Sequence, residues 1–460
     1  MQLPEQFTTY VAQVCDQLRW KKARPVIQRE METHLCDQYD ALVKSGLPED
    51  AAVEETLRRT GDAVEIGVGL DRVHRPKPSW GLLILTGILL LTGLAIKLFF
   101  TYDSDYPHEL PTMLVASVLG IGCLFGAYFM DFTILGKRPV LLYFCALGLM
   151  LLLICLNNNV LYNYRIIHVA LLFPVVYATL LYRLRGMKYR GLALSLLALV
   201  PLSYCFFLVP SSAAALTVTV PGVILLAAAA WGDWFGLGRR RGCVILSIVF
   251  LFLLAAFCIQ ASQSAYLSAR IRIAFHPELD PFGKGFNAIA VRELLDASHL
   301  VGPGDESIYS SYYTDRDVSF LLTRLIYRAG WLVFALIMAV FAAFLGVAIY
   351  KCLKQKNMLG RLVSLAVILT FSMQILLYVL LNTGFHLTGD LCLPLVSYGN
   401  TALVLDMALI GIMLSTFRTG SLVRDDVSPV RSSKLWLHIK ERVHWNDGEL
   451  TISFKRNLAS

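Results

Sequence analysis

The pattern of apolar and polar positions changes near residue 79 of the chain. Before that point, apolar residues recur at three- and four-residue spacing, which is the period of an amphipathic helix. Three helices are predicted from this spacing, at the positions Phe7, Val11, Val14 and Leu18, then Ile27, Met31 and Leu35, then Ala51, Val53, Thr56 and Leu57. Pro76 and Pro78 break the chain after them. Residues 1–78 are therefore predicted to form a small helical domain.

From Trp80 onward the apolar stretches become continuous and reach the roughly 20 residues that a membrane helix requires. Ten spans are predicted, over 80–100, 111–131, 139–156, 164–183, 191–210, 213–234, 243–262, 326–350, 360–381 and 395–416. They define an all-α polytopic membrane domain over 79–418. Residues 419–460 follow as a tail, in which the alternation of Leu450, Ile452 and Phe454 is compatible with a short strand.

The composition of the chain agrees with a membrane protein, since 56% of its 460 residues are hydrophobic and only 16% are charged. Soluble domains usually hold about 45–50% apolar residues. A soluble enzyme, a secreted disulfide scaffold and a nucleic-acid-binding protein are thus excluded as first interpretations. The net charge of +8 is not evidence for nucleic-acid binding, because membrane proteins concentrate Lys and Arg in cytoplasmic loops.

The positive residues fall on every second connection between the predicted spans. They occupy 136–138, 183–190, 239–241, 351–361 and the tail from 418. The positive-inside rule then predicts that both termini are cytoplasmic. By the same rule, the connection over residues 263–325, called the long loop below, lies outside the plasma membrane.

Cysteine and histidine spacing predicts no metal or redox site. The ten cysteines include no Cys-x-x-Cys pair, and most fall inside predicted spans or on the predicted cytoplasmic side. His276, His299 and His386 lack metal-ligand spacing and are interpreted as surface residues. Asp406 lies inside the last predicted span, where a carboxylate is costly. A polar contact between helices and a substrate or ion role are both open for it.

The long loop is too long for a simple connector and is where chemistry is expected. Its carboxylates are Glu278, Asp280, Glu293, Asp296, Asp305, Glu306, Asp315 and Asp317, and its basic residues are Arg270, Arg272, Lys284, Arg292, Arg316 and Arg324. Arg and Lys can hold phosphate oxygens while a carboxylate accepts a proton from a hydroxyl nucleophile. The mixture suits an anionic substrate at the membrane surface. A solvated, salt-bridged cap without chemistry is the alternative.

Three pieces of the N-terminal domain resemble the helical module called permease prefix domain 1. They are Arg-Glu-Met-Glu-Thr-His-Leu over 29–35, Gly-Leu-Pro-Glu-Asp-Ala over 46–51 and Arg-Arg-Thr-Gly-Asp over 58–62. The resemblance implies a cytoplasmic attachment rather than a catalyst.

Two motifs of the membrane domain resemble the SEDS family (shape, elongation, division and sporulation), which includes FtsW, RodA and SpoVE. The segment 272–287, with Asp-Pro-Phe-Gly at 280–283, is similar to the start of the family's large extracellular loop. Leu-Pro-Leu-Val-Ser-Tyr-Gly-Asn-Thr over 393–401 is similar to its Leu-Pro-Phe-x-Ser-Tyr-Gly-Gly-Ser signature. Gln374 and Asn382 also match family positions. Because Asn400 replaces the second signature Gly, the resemblance is to a divergent branch.

This resemblance implies a peptidoglycan glycosyltransferase that polymerises lipid II at the outer face of the cytoplasmic membrane. The implied partner is a class B penicillin-binding protein, in elongation, division or sporulation. No cofactor is implied with certainty, and a divalent cation is left open. The alternatives are a flippase or carrier for the lipid-linked precursor and a non-catalytic scaffold for the penicillin-binding protein.

The resemblance also implies roles for single residues. The family's catalytic Asp precedes the eighth span, and a gapless count back from Gly330 puts its position on Ser319. The base is therefore assigned to Asp317 first and to Asp315 second, and a lost base is the third interpretation. Further substrate-site residues, for diphosphate or loop-ordering contacts and for shaping the outer end of the cavity, are Asp280, Lys284, Arg292, Arg324, Ser397, Tyr398 and Gly399.

Overall fold

A computed structural model describes residues 4–21, 23–102, 109–156, 167–209, 211–305, 318–389, 391–420, 443–446 and 449–452. These residues are almost wholly helical, with two short strands in the tail. The described residues between 4 and 79 pack as one compact unit, and those between 80 and 417 pack as a second.

Four helices make up the N-terminal unit: α1 (Glu5–Asp16), α2 (Arg24–Lys44), α3 (Glu49–Thr60) and α4 (Ala63–His74). Most of the apolar positions that predict the first three helices form or pack against the core of this unit, whereas Ala51 is exposed. Phe7, Val14 and Leu35 are completely buried in it.

The fourth helix was not predicted, although its start carries a local signal. Gly61 turns the chain with a φ of 98°. The Asp62 carboxylate then accepts hydrogen bonds from the backbone N–H groups of Val64, at 3.1 Å, and Glu65, at 3.0 Å. An N-cap of this kind satisfies amides of the first helical turn that have no partner within the helix.

The membrane unit is a bundle of helices. They are α5 (Trp80–Tyr102), α6 (Glu109–Phe129), α7 (Thr133–Lys137), α8 (Pro139–Leu156), α9 (Phe173–Leu184), α10 (Lys188–Leu208), α11 (Ser212–Trp231), α12 (Arg239–Gln263), α13 (Ala265–Phe275), α14 (Phe286–Asp296), α15 (Leu321–Ala329), α16 (Trp331–Leu353), α17 (Met358–Asn382) and α18 (Asn400–Thr419). Short 3-10 turns occupy Val169–Leu172, Pro277–Leu279 and Val318–Phe320. Eight of the described helices are long and apolar enough to cross a membrane. Two shorter apolar helices, Pro139–Cys155 and Val169–Leu184, occupy the predicted third and fourth spans. The chain is a multi-pass membrane protein.

Two predicted spans begin later than the hydrophobic pattern indicates. The eighth span was predicted over 326–350, but Gly330, with a φ of 96°, ends α15 and α16 begins at Trp331. The tenth span was predicted from residue 395, but the helix starts at Asn400. The preceding residues, 393–399, form a compact turn, called the signature turn below, with positive φ at Leu395 and Gly399. In both places an apolar sequence continues through a sharp change of backbone direction.

Helix α17 is the most buried of the long helices and packs against α9, α11 and α16. The long loop is itself structured, with α13, α14 and α15 in its described part. In the tail, β1 (Val443–Asn446) and β2 (Glu449–Ile452) pair antiparallel, with Val443 opposite Ile452. Strand β2 includes two of the three alternating residues from which a strand was predicted.

Candidate functional site

The signature turn is closed by its own side chains and leaves no room for larger ones. The Ser397 hydroxyl oxygen accepts a hydrogen bond from the Leu393 backbone N–H at 2.7 Å, and Ser397 is buried. Gly399 has a φ of 134°, and a Cβ at this position would lie 2.5 Å from the Cys392 sulfur. Only glycine adopts this conformation readily. Ser397 and Gly399 therefore fix the shape of the turn.

Helix α5 packs directly on the signature turn and brings a buried cation to it. A Cβ on Gly93 would lie 2.8 Å from the Cα of Val396, so the two backbones are in close contact. One helical turn further on, the Lys97 ammonium lies 5.7 Å from the centre of the Tyr398 ring, and Lys97 is almost completely buried. Lys97 was not among the residues predicted from the sequence. A lysine inside an apolar span is the signal that could have found it, because such residues are rare and usually functional.

Asn382, at the end of α17, fastens the segment at the C-terminal end of the long loop. Its amide nitrogen donates hydrogen bonds to the carbonyls of Ser319, at 3.2 Å, and Tyr378, at 3.0 Å. Its amide oxygen accepts from the Thr323 backbone N–H at 3.1 Å. Asn382 and Thr323 are both buried. The buried amide thus uses donors and acceptor together to hold residues 319–323.

This segment directly follows the two candidate bases. Asp315 and Asp317 themselves lie outside the described residues. Phe320, three residues after Asp317, stacks on the His386 ring with the ring centroids 5.4 Å apart and an interplanar angle of 14°. Asn382 and His386 therefore hold the chain on the C-terminal side of the predicted catalytic position.

A cavity of about 490 Å³, called the cationic cavity below, opens beside α13 and α14. It is lined by Tyr266, Arg270, Ile273, Ala274, Lys284, Asn287, Ala288 and His386. Three of these side chains are basic, and no carboxylate is among the described residues that line it. The cavity therefore favours an anion. Of the residues predicted to contact substrate, only Lys284 lines it.

Arg292 and Arg324 are instead bound to other parts of the protein. The Arg292 guanidinium donates a hydrogen bond to the Gly384 carbonyl at 3.3 Å and lies 3.8 Å from the Glu278 carboxylate. Arg324 is buried, with its guanidinium carbon 4.7 Å from the centre of the Phe100 ring. These contacts indicate that Arg292 orders the loop and that Arg324 packs between helices.

Asp280 also acts within the long loop. Its carboxylate accepts a hydrogen bond from the Lys284 backbone N–H at 2.9 Å. A Cβ on Gly283 would lie 2.5 Å from the same carboxylate, so the turn closes tightly around it. Asp280 thereby orients the backbone at Lys284, whose side chain lines the cavity.

The comparison with known proteins covers the whole membrane domain. The family described as cell cycle protein, FtsW/RodA/SpoVE, matches residues 79–420. The chain belongs to this family.

Individual members of the FtsW/RodA/SpoVE family are distant in sequence. A protein of Trichlorobacter lovleyi named Probable peptidoglycan glycosyltransferase FtsW is 26% identical over 210 residues, which are 45% of this chain and 52% of the relative. Stage V sporulation protein E of Bacillus subtilis is 26% identical over 187 residues, which are 38% of this chain and 50% of the relative. The chain thus spans about half the length of the curated relatives it matches.

The family fold is also found among solved structures. A chain of a peptidoglycan synthase complex that coordinates polymerisation and crosslinking superposes with a TM-score of 0.60 at 19% identity. The superposition covers 74% of this chain and 98% of that chain. At this identity the likeness establishes the fold, so the site has to be argued from this chain's own residues.

Among the described residues of the membrane unit, Asp406 is a carboxylate buried within the helix bundle. Asp406, on α18, is completely buried, and its Oδ1 accepts a hydrogen bond from the Gln374 side-chain N–H at 3.1 Å. The pair joins α17 to α18 through a polar contact, one of the two interpretations open for Asp406.

The structure also shows how the described histidine and cysteine side chains are placed. In the part of the chain that the structure describes, no three His, Cys, Asp or Glu side chains are grouped to hold a metal ion. Cys392, next to the signature turn, lies with its sulfur 3.1 Å from Nε2 of His168. This buried contact between distant parts of the chain gave no signal in the sequence, because neither residue belongs to a spaced motif.

Proposed function

We propose that this chain is a peptidoglycan glycosyltransferase that polymerises lipid II at the outer face of the cytoplasmic membrane. The observation that carries the proposal is the placement of residues 319–323, next to the candidate bases, beside a cavity with basic walls. Asn382 binds this segment, and His386 belongs both to the stack with Phe320 and to the cavity lining. A general base and a set of cations are the two things this reaction requires.

The reaction joins the 4-hydroxyl oxygen of one sugar to the anomeric carbon of another. The bond from that carbon to the diphosphate oxygen breaks, and the polyprenyl diphosphate leaves with the electron pair. A carboxylate accepts the hydroxyl proton, and nearby cations stabilise the negative charge of the leaving group. We assign the carboxylate to Asp317, with Asp315 as the second choice.

The proposal includes the surroundings of the enzyme. The N-terminal helical unit, residues 1–78, and the tail from residue 419 are placed in the cytoplasm, and the long loop is placed outside. A class B penicillin-binding protein is the proposed partner, because the fold matches a chain of a synthase complex that couples polymerisation to crosslinking. A divalent cation could help to neutralise the diphosphate, and a comparison of assays with added Mg²⁺ and with chelator would identify that need.

A polymerisation assay on the purified full-length chain tests the assignment. With lipid II in detergent or vesicles, we expect glycan polymer. Asp317→Asn should lower the rate by about 100-fold or more, which is the usual contribution of general base catalysis. The matched control is Asp296→Asn, which changes an exposed carboxylate at the end of α14 in the same loop and should leave the rate unchanged.

Each alternative has its own outcome in this assay. Full activity in the double variant Asp315→Asn with Asp317→Asn would contradict the assignment of the base. Transfer of the precursor across the bilayer without polymer would identify a carrier. Absence of both activities, with retained binding of a penicillin-binding protein, would identify a scaffold.

A further inference from the structure

We propose that the cationic cavity binds a diphosphate carried on a membrane lipid, with Arg270 and Lys284 as the residues that hold it. The inference rests on the proposed function, which requires a site for the diphosphate of lipid II. It also identifies Arg270, to which the sequence analysis gave no role of its own.

Arg270 is held in a fixed orientation by two contacts. Its Nε donates a hydrogen bond to the Leu387 carbonyl at 3.2 Å, and its Nη2 donates to the Ser212 hydroxyl oxygen at 3.4 Å. Within the described residues, Nη1 has no hydrogen-bond acceptor. A guanidinium that is held on one side and open on the other can bind a phosphate oxygen at little further entropic cost, because its planar donors are already oriented.

Lys284 provides the second cation. Its ammonium nitrogen lies 4.4 Å from the centre of the Tyr266 ring, and it pairs with no carboxylate among the described residues. Its backbone is fixed by the hydrogen bond to Asp280. The ammonium is therefore positioned at the cavity wall while its charge remains available to a ligand.

The position of the cavity favours a lipid-borne anion. Ser212, which Arg270 contacts, is the first residue of the span Ser212–Trp231, and Leu387 follows shortly after the end of α17 at Asn382. Helix α13, which carries Arg270, begins two residues after α12 ends. Three membrane helices thus end or begin around the cavity, which places it at the depth of lipid headgroups. A diphosphate bound there leaves its prenyl chain in the bilayer.

The basic residues outside the cavity give the contrast. Arg292 is bound to Gly384 and Glu278, and Arg324 is buried against Phe100. These two cations are committed to holding the protein together. Arg270 and Lys284 are the ones that face open space on the wall of the cavity.

A binding experiment that needs no turnover tests the inference. Undecaprenyl diphosphate is titrated into the full-length protein in nanodiscs of neutral phosphatidylcholine, and binding is followed by microscale thermophoresis. We expect binding of undecaprenyl diphosphate and none of undecaprenol, which lacks the phosphates. Lys284→Gln and Arg270→Gln should each weaken binding by about tenfold or more, because each removes a charged hydrogen-bond donor.

Arg272→Gln is the matched control. Arg272 lies on the same helix as Arg270 and is exposed, and two residues along a helix turn the side chain by about 200°. The affinity of the Arg272→Gln variant for undecaprenyl diphosphate should stay within about twofold of that of the unsubstituted protein, as expected for a surface charge. Since Arg270 also bonds to Ser212 and Leu387, Arg270→Gln could affect folding. Lys284→Gln, which loses no hydrogen bond within the described residues, is then the decisive variant.

Several results would overturn the inference. Unchanged affinity in Lys284→Gln, or equal weakening by Arg272→Gln, would remove the cavity as the site. Displacement by an equal concentration of inorganic pyrophosphate would identify free diphosphate as the occupant. Displacement by phosphatidylglycerol would identify a general site for anionic phospholipid.

The failure of this inference can be told apart from failure of the proposed function. If the protein polymerises lipid II and Lys284→Gln binds and polymerises normally, the glycosyltransferase assignment stands and the cavity assignment falls. If the protein binds the lipid diphosphate through Lys284 but forms no polymer, the cavity assignment stands and the glycosyltransferase assignment falls.

Discussion

Asn382 connects the end of a membrane helix to the chain that follows the predicted catalytic position. Its side chain offers two donors and an acceptor, and it uses both kinds toward Ser319, Thr323 and Tyr378. Burial makes these bonds matter, because a buried donor or acceptor that loses its partner is destabilising by about 1–3 kcal/mol. Asparagine suits this position better than aspartate, because a carboxylate has no N–H groups to donate to the carbonyls of Ser319 and Tyr378.

Substitution of Asn382 should therefore loosen this segment. We expect Asn382→Ala to lower the free energy of unfolding by about 2–3 kcal/mol, since it leaves the Thr323 amide without its partner and removes three further hydrogen bonds. Asn382→Asp should also be damaging, because a carboxylate would face the carbonyl oxygens of Ser319 and Tyr378. Thermal unfolding in detergent and the polymerisation rate are the measurements.

Thr383→Ala is the control for this prediction. Thr383 is the next residue and is exposed, and the Leu380 carbonyl in the same turn is the one partner of its hydroxyl among the described residues. Its substitution should change stability by less than about 0.5 kcal/mol. Equal melting temperatures and equal rates for Asn382→Ala and Thr383→Ala would show that the segment is held by other contacts.

At the scale of secondary-structure elements, the signature turn owes its position to the close approach of α5. Gly93 allows the α5 backbone to lie against Val396, and Lys97 and Phe100 continue along the same helix toward Tyr398 and Arg324. Positions 93, 97 and 100 follow the spacing of one helical face. One face of α5 thus contacts both the signature turn and α15.

Two glycines in α5 provide a matched test of this contact. A Cβ at Gly87 would meet nothing within 4 Å, whereas a Cβ at Gly93 would overlap the backbone of the signature turn. We expect Gly87→Ala to be neutral or stabilising by up to about 1 kcal/mol, as alanine favours a helix. Gly93→Ala should be destabilising by about 1–3 kcal/mol because a tightly packed backbone has to move. Thermal unfolding of both variants in one detergent checks the difference, and a neutral Gly93→Ala would contradict close packing here.

The elements also show how much of the structure could be predicted. Hydrophobic length alone located the eight helices that are long enough to cross a membrane and the two shorter apolar ones, because the bilayer sets a minimum length that few other structures share. It misplaced the starts of α16 and α18, since apolar residues continue through Gly330 and through Leu395 while the backbone turns. Among the basic residues of the loop, the sequence did not show that Lys284 lines the cavity while Arg292 binds to another part of the protein. That difference depends on Gly384, which is 92 residues from Arg292 along the chain.

For the whole molecule, the distribution of charge predicts which side of the membrane each connection occupies. Two helices, α15 and α16, lie between the long loop and the connection from α16 to α17. Only α16 is long enough to cross the membrane, because α15 has nine residues. At 1.5 Å per residue α15 extends about 14 Å, less than half of the roughly 30 Å hydrocarbon core. The two connections therefore lie on opposite sides, whatever the total number of spans. The positive-inside rule predicts that the Lys-rich connection, between α16 and α17, faces the cytoplasm.

Labelling in intact cells tests this orientation. Phe282, which is 97% exposed, reports on the long loop, and Lys354, also exposed, reports on the other connection. We expect a membrane-impermeant maleimide to label Phe282→Cys in intact cells and Lys354→Cys only after permeabilisation, with the unsubstituted chain giving the background of the ten native cysteines. The reverse pattern would put the cationic cavity on the cytoplasmic side. Polymerisation at the outer face would then be ruled out, because Lys284 lies two residues from the reporter at position 282.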